Sequence, residues 1–279
     1  MTMLSINTNV GALRAAQSSY SVNKSMETSM ERMASGKRIN SATDDAAGLA
    51  ISTRIGAEIQ GLKQSIKNAG DAQSMLNVAE GALSEVHTIL LRMRELAVQS
   101  ANDTVRDQDR DMLQTEVAQL ELEIQRISDD TTWSGMTLLA GGFTTGATFQ
   151  IGPRAGDTIQ ISIGAIDATT TVANGGLDLN EHISTQAGAQ GVLENIDAAI
   201  SVISEDRARY GATMNRLDHA MANMQNVVTN LSTAKGRIED ADFAAESANL
   251  ARTQVLQQAS MAMLSQANAS KQNILALFQ

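Results

Sequence analysis

The sequence predicts a mainly α-helical protein whose long helices pack side by side as antiparallel coiled coils, with one small β-hairpin region. Three observations predict it. Residues stepping by seven from Ile55 through Leu62, Ala69, Leu76, Leu83 and Leu90 to Ala97 are apolar at every step, the mark of a narrow helical seam that needs helical partners. A second seam of the same kind runs from Leu193 to Leu231. The chain of 279 residues holds one proline, no cysteine and only 3% aromatic residues, a composition that suits long packed helices better than a layered or spherical core.

Taken in order, Ile6, Val10, Leu13, Ala16 and Tyr20 lead into Val22, Met26, Met30 and Met33, a weak helical stripe that continues to Ser35. Gly36 is a helix stop, with Lys37 and Arg38 beside it where positive charge suits a helix C-terminus. Residues 35–45, SGKRINSATDD, form a connector in which Ser41 or Thr43 caps the next helix. The central helix then runs to about Ala101. Its companion row is Ile59 and Ile66 at first and Ala79, Val86 and Met93 later, as expected of a helix drifting against a strict heptad. Thr104 and Asp107 have the spacing of a capping box. They would open a helix with the stripe Leu113, Val117, Leu120, Ile124 and Ile127, turned antiparallel to the central helix.

Between Asp129 and Ser184 the helical period vanishes and glycine and threonine become frequent. Thr148–Ile151 and Ile159–Ile163 alternate apolar with polar around the turn residues Gly152–Asp157. They predict a hairpin, the one segment of β-structure. In the second seam Leu193, Ile196, Ile200, Ile203, Tyr210, Met214, Leu217, Met221, Met224 and Val228 form the row, and Arg207 alone breaks it. Gly236 marks an interruption, and a last helix starts near Asp240 with a stripe of alanines from Ala244 to Ala276. Such a stripe buries little apolar area. Both ends are therefore weak helices, natural partners for each other or for neighbouring copies, and largely disordered in an isolated monomer.

A net charge of −10 argues against broad binding to nucleic acid or anionic membranes. No apolar run is long enough to span a bilayer, and the N-terminus lacks the basic head and apolar core of a secretory signal. His87, His182 and His219 have no metal-ligand spacing. The acid pairs Asp44-Asp45 and Asp129-Asp130 suit helix ends and turns. No catalytic residue, cofactor or metal is expected, and the protein is not expected to be an enzyme.

SINTNVGAL at the start is followed in order by ERMASGKRINSATDDAAGLAIS, LLRMRELAVQSAN and WSGMTLLAGG, and the chain closes on NILALFQ. On these stretches the chain resembles bacterial flagellin, the subunit of the flagellar filament, along nearly its full length. The resemblance implies a terminal coiled-coil domain lining the filament core, from residues 1–43 and 235–279. Around it would sit an inner helical domain, residues 44–234, with the β-hairpin insert near 131–185. Only Gly164 to about Thr185 occupies the place where many flagellins carry large outer domains, so the short form is implied.

The function implied is a structural subunit, exported unfolded by the flagellar type III apparatus, that self-assembles as a homopolymer into an extracellular helical filament for swimming. The implied partners are other copies of the chain, an export chaperone, the cap protein and hook-associated junction proteins. Arg92, Leu96 and Glu116 match, residue by residue, an arginine, a leucine and a glutamate that contact Toll-like receptor 5 in recognised family members. The same surface joins subunits in the family. Leu91 departs from the pattern, standing where a polar residue is frequent. Without the resemblance this segment reads as a solvated charged face with one exposed leucine. Two other readings stand beside the filament subunit: a hook–filament junction protein sharing the terminal helices, and a surface adhesin or carbohydrate-binding homologue, which the few aromatics of the hairpin disfavour.

Overall fold

The structure, a computed structural model, describes residues 8–168, 177–179 and 182–276, with side chains as far as residue 270. Its helices and strands form two compact units, Met1–Ile59 with Thr229–Gln279, and Gln60–Val228. The class is the predicted one: long, mainly antiparallel helices with small antiparallel hairpins.

In the first unit α1 (Val10–Ser35) is capped by Asn9, whose side chain accepts from Ala12 N, and stops at Gly36 with φ of 70°. That left-handed turn is one a glycine adopts without a Cβ clash. Helix α1 lies antiparallel to α5 (Phe243–Ala276). Asn9 Nδ2 donates to Ala267 O at 3.1 Å, Gln257 Nε2 to Asn23 Oδ1 at 2.8 Å, and Arg32 Nη1 to Glu246 Oε1 at 3.1 Å. The two weak ends thus pair with each other within one chain, one of the two partnerships expected of them. Helix α2 begins at Ala46, and its cap is Asp45, whose Oδ1 accepts from Gly48 N at 2.8 Å. Ser41 and Thr43 do not cap it. Their hydroxyls bond each other at 2.6 Å, while Asp44 Oδ2 accepts from Asn40 N and Ser41 N at 3.1 and 2.9 Å and folds the connector tight. Asp242 caps α5 through Ala244 N and Ala245 N at 2.9 and 3.2 Å. The interruption expected at Gly236 is absent, and α4 (Gln186–Glu239) runs through it. One helical glycine costs only about 1 kcal/mol relative to alanine, too little to break a helix that packs on both sides of it.

The part of α2 (Ala46–Ser100) from Gln60 onward belongs to the second unit, where the helix turns into α3 (Asp107–Asp130). From Leu62 the α2 seam takes alternating steps of three and four through Ser65, Ala69, Ala72, Leu76, Ala79, Leu83, Val86, Leu90, Met93 and Ala97 to Ser100, none more than 6% exposed. Helix α4 runs antiparallel to α2: Gln73 bonds Asp218 at 2.9 Å, Glu80 bonds Arg207 at 2.9 Å and Arg94 bonds Asp197 at 2.7 Å. Its buried row is Val192, Ile196, Ala199, Ile203, Asp206, Tyr210 and Leu217. The residue that breaks the row is therefore Asp206; Arg207 is half-buried and reaches Glu80. The small Ala199 allows close helix approach on its side of α4, which leaves Leu193, Ile200 and Arg207 only half covered.

The capping box expected at Thr104 does not form. Helix α3 starts after Arg106, which makes no side-chain cap, and Asp107 and Asp109 supply the first-turn acids. The buried Arg110 holds the turn instead, donating to Val105 O and, at 3.1 Å, to Asn102 O. The predicted hairpin is present as β3 (Ala147–Gln150) and β4 (Thr158–Ile161), with Ala147 opposite Ile161 and Phe149 opposite Ile159. Asn68 Nδ2 of α2 donates to Gln150 O at 3.0 Å and ties the hairpin down. A second, two-residue hairpin was not foreseen: β1 (Thr132–Trp133) pairs with β2 (Met136–Thr137) around Ser134 and Gly135, at φ 52° and 81°. Two consecutive positive φ values match the twist of a tight hairpin turn.

Candidate functional site

The surface of the first unit carries an unusual number of exposed apolar side chains. Val10, Leu13 and Tyr20 on α1 and Val255, Met261 and Met263 on α5 are 49–68% exposed. The α1–α5 pair also encloses an apolar groove of about 730 Å³, whose lining includes Ala15, Val22, Leu256, Ala259 and Met263. Small residues bring the two backbones close: a Cβ at Gly11 would sit 3.7 Å from Ala267 Cβ. A helix pair that buries so little of its apolar surface and shows so much of it to water presents a face for association.

The three residues singled out in the sequence lie in the second unit. Arg92 of α2 reaches across to α3, its Nε and Nη2 donating to Glu116 Oε1 at 3.0 and 2.9 Å, and its Nη1 donates to Glu95 Oε2 at 3.0 Å. Hydrogen bonds donated to Glu116 first and to Glu95 second push the guanidinium further toward its charged form. Arg92 and Glu116 thus form one exposed, preorganised charge pair. Leu96 is not part of that exposed surface. It is 1% exposed, beside the buried Met93 and Ala97, whereas Leu91 is 45% exposed. The leucine on the solvated face is Leu91.

Buried polar groups here are structural anchors that the sequence reading did not single out. Ser100 Oγ donates to Ile183 O at 2.5 Å, Gln114 Oε1 accepts from Ile183 N at 2.6 Å, and Ser128 Oγ donates to Ile166 O at 2.6 Å. These bonds pin the chain around the hairpin insert onto α2 and α3. Asp206 pairs with Arg209 at 3.0 Å, and burial pushes its carboxyl above the usual range. For Ser100 the available signal was the three–four alternation of the α2 seam, which steps from Ala97 to Ser100; the row read through Ile200 and Ile203 steps to Arg207 and passes over Asp206. Among the described residues no three His, Asp or Glu side chains converge as a metal-ligand set, and no helix is long and apolar enough to cross a membrane.

Residues 6–144 match the family described as bacterial flagellin N-terminal helical region, and residues 193–278 that described as bacterial flagellin C-terminal helical region. The chain is 41% identical over 275 residues to a flagellin of Halalkalibacterium halodurans, covering 98% of this chain and 99% of that one. It is 37% identical over 304 residues to a flagellin of Bacillus subtilis, with the same coverage of each. Among solved structures, Bacillus cereus flagellin is 34% identical and covers 61% of this chain and 94% of its own at a TM-score of 0.49. A Vibrio parahaemolyticus structure named for a flagellar hook-associated protein is 17% identical, covers 71% of this chain and 100% of its own, and has a TM-score of 0.62, a likeness of fold alone.

Proposed function

This chain belongs to the bacterial flagellin family, and from that premise we propose that α1 and α5 polymerise it into the filament after export of the unfolded chain by the flagellum's own type III apparatus. As a flagellin it is a structural, self-polymerising subunit of the extracellular flagellar filament. The observation that carries the assembly reading is the exposed apolar face on both end helices. Contacts made by one face of a subunit on a different face of the next extend without limit where the rotation between neighbours does not close a ring. We assign the assembly core to residues 1–43 and 235–279 and the inner domain to 44–234; the first compact unit takes in residues 44–59 and 229–234 as well. End helices that bury little oppose unfolding weakly, which suits passage through a narrow export channel. An export chaperone, a cap protein and hook-associated junction proteins are the partners this route requires.

Seeded polymerisation of the purified chain, followed by sedimentation and negative-stain electron microscopy, tests the reading. A chain lacking residues 1–43 and 235–279 runs alongside. Long filaments are expected from the full chain only. A full chain that stays monomeric with seeds would move the hook–filament junction reading ahead.

A second reading rests on the Arg92–Glu116 pair, held at 2.9 Å on the exposed α2–α3 surface. It is a ready contact for Toll-like receptor 5. In a receptor reporter assay Arg92→Ala and Glu116→Ala should each weaken the response of the monomer, and an unchanged response to both removes the reading.

A further inference from the structure

Two connectors cross within the first unit: residues 36–45, which join α1 to α2, and residues 240–242, which join α4 to α5. Lys37 and Asp240 form an isolated antiparallel bridge, with Arg38 N donating to Glu239 O at 2.6 Å and Ala241 N to Gly36 O at 3.0 Å. Arg38 Nη2 adds a bond to Ile238 O at 2.7 Å. Buried Ile39 is the apolar anchor; a Cβ at Gly48 of α2 would stand 2.7 Å from its Cδ1. None of these contacts depends on a carboxylate.

Two carboxylates act beside them: Asp44 folds the first connector on itself, and Glu239 reaches that connector from α4. The side chain of Glu239, the last residue of α4, is only 10% exposed, with Lys37 Nζ 2.5 Å from Oε1 and Lys235 Nζ 3.5 Å from Oε2. The other charged groups of the two connectors are Arg38, which lies 4.0 Å from Asp45 at the start of α2, Asp44, whose carboxylate is held by the Asn40 and Ser41 N–H groups, and Asp240, which acts on Lys37. A cavity of about 320 Å³, lined by Asn40, Ser52, Thr53, Lys235 and Glu239 among others, opens beside the carboxylate and gives water and protons a way in.

We infer that Glu239 is a charge clasp on this crossing, joining Lys37 of the first connector to Lys235 of α4, and that protonating it loosens the crossing while the long helices stay formed. The inference concerns how a single chain ties its ends to α2 and α4, and it stands apart from the filament reading. The sign follows from the partners. The hydrogen bond from Lys37, ahead of the pull of Lys235, holds the Glu239 carboxyl below the usual carboxylate range in spite of its burial. The folded chain therefore binds fewer protons there than the unfolded one. The stabilisation is complete above the unfolded carboxylate value and is lost as the pH falls through the lower folded value. The same contact raises Lys37, whose charge persists throughout the acid range.

Hydrogen–deuterium exchange of the full chain tests it, expressed as protection factors for peptides covering residues 36–45 and 236–244, with residues 76–93 of α2 as the reference. Between about pH 7 and about pH 3.5 the wild type should lose protection several-fold at the crossing and little in the reference. Glu239→Gln at neutral pH should already show most of the acid loss in residues 236–244; in residues 36–45 a smaller pH response should remain, because the Asp44 carboxyl there is also held below the usual range by the Ser41 and Asn40 N–H groups. Lys37→Met, which leaves the Lys235 contact in place, should lose part of that protection, and the double variant no more than Glu239→Gln alone, because Glu239→Gln already removes both contacts. A Glu239→Gln chain that keeps wild-type protection and pH response overturns the clasp. So does a wild type unprotected at the crossing at neutral pH, or a variant in which the α2 reference loosens equally.

Discussion

Leu91 and Leu96 are close neighbours on α2 with opposite surroundings, 45% and 1% exposed. Leu96→Ala removes buried methyl groups beside Met93 and should cost about 2–5 kcal/mol. Leu91→Ala should stay within about 0.5 kcal/mol. Thermal unfolding of both variants checks this, and an equal small effect would mean that Leu96 is free in solution. The difference bears on the receptor reading: Leu96→Ala reports on recognition only if the variant is folded at the assay temperature, whereas Arg92→Ala and Glu116→Ala alter exposed side chains. The α2 seam was legible residue by residue because every seventh position is apolar. Leu96 was not, because it flanks the seam, and only tertiary packing decides whether a flanking residue is covered. Asp206 was hidden for a related reason. Hydrophobicity favours the row through Leu193 and Ile200, while the close approach is made at the small Ala199.

Helix boundaries separate what the chain states locally from what depends on its surroundings. The stop at Gly36 was legible because a left-handed residue favours glycine. Nothing lies within 4 Å of a Cβ built there, so Gly36→Ala isolates the backbone penalty, about 1–2 kcal/mol of destabilisation. Gly81, within α2 and equally free of neighbours, gives the opposite case. Gly81→Ala should stabilise by roughly 0.5–1 kcal/mol through the unfolded chain. Denaturant melts of the two variants should therefore move in opposite directions, and a shared sign would contradict the assigned backbone at one of them. Helix starts were less legible. Several capping residues stand in a row in SATDD, and which one caps depends on where the helix opens; it opens after Asp45. The β1–β2 hairpin gave no alternation to read, since each strand has two residues.

For the molecule as a whole, the exposed face of α1 and α5 is a cost in the monomer that polymerisation can recover. Each subunit of a filament repeats the same contact, so burying one leucine there contributes roughly 1.5–3 kcal/mol per subunit. That is about a ten- to hundredfold change in the critical concentration for elongation. Leu13, 62% exposed on α1, is the test. Leu13→Ser should leave the unfolding midpoint of the monomer equivalent to within about 0.5 kcal/mol, while raising the concentration at which seeds elongate by that factor. Sedimentation of seeded reactions over a concentration series measures it, and an unchanged critical concentration removes this part of α1 from the subunit contact. Charge must be separated from burial, because each subunit carries a net charge of −10. Added salt screens that repulsion and should lower the critical concentration of wild type and variant alike. A deficit that persists at high salt therefore belongs to the lost apolar contact; one that salt abolishes would assign the effect of Leu13 to charge repulsion between neighbouring subunits.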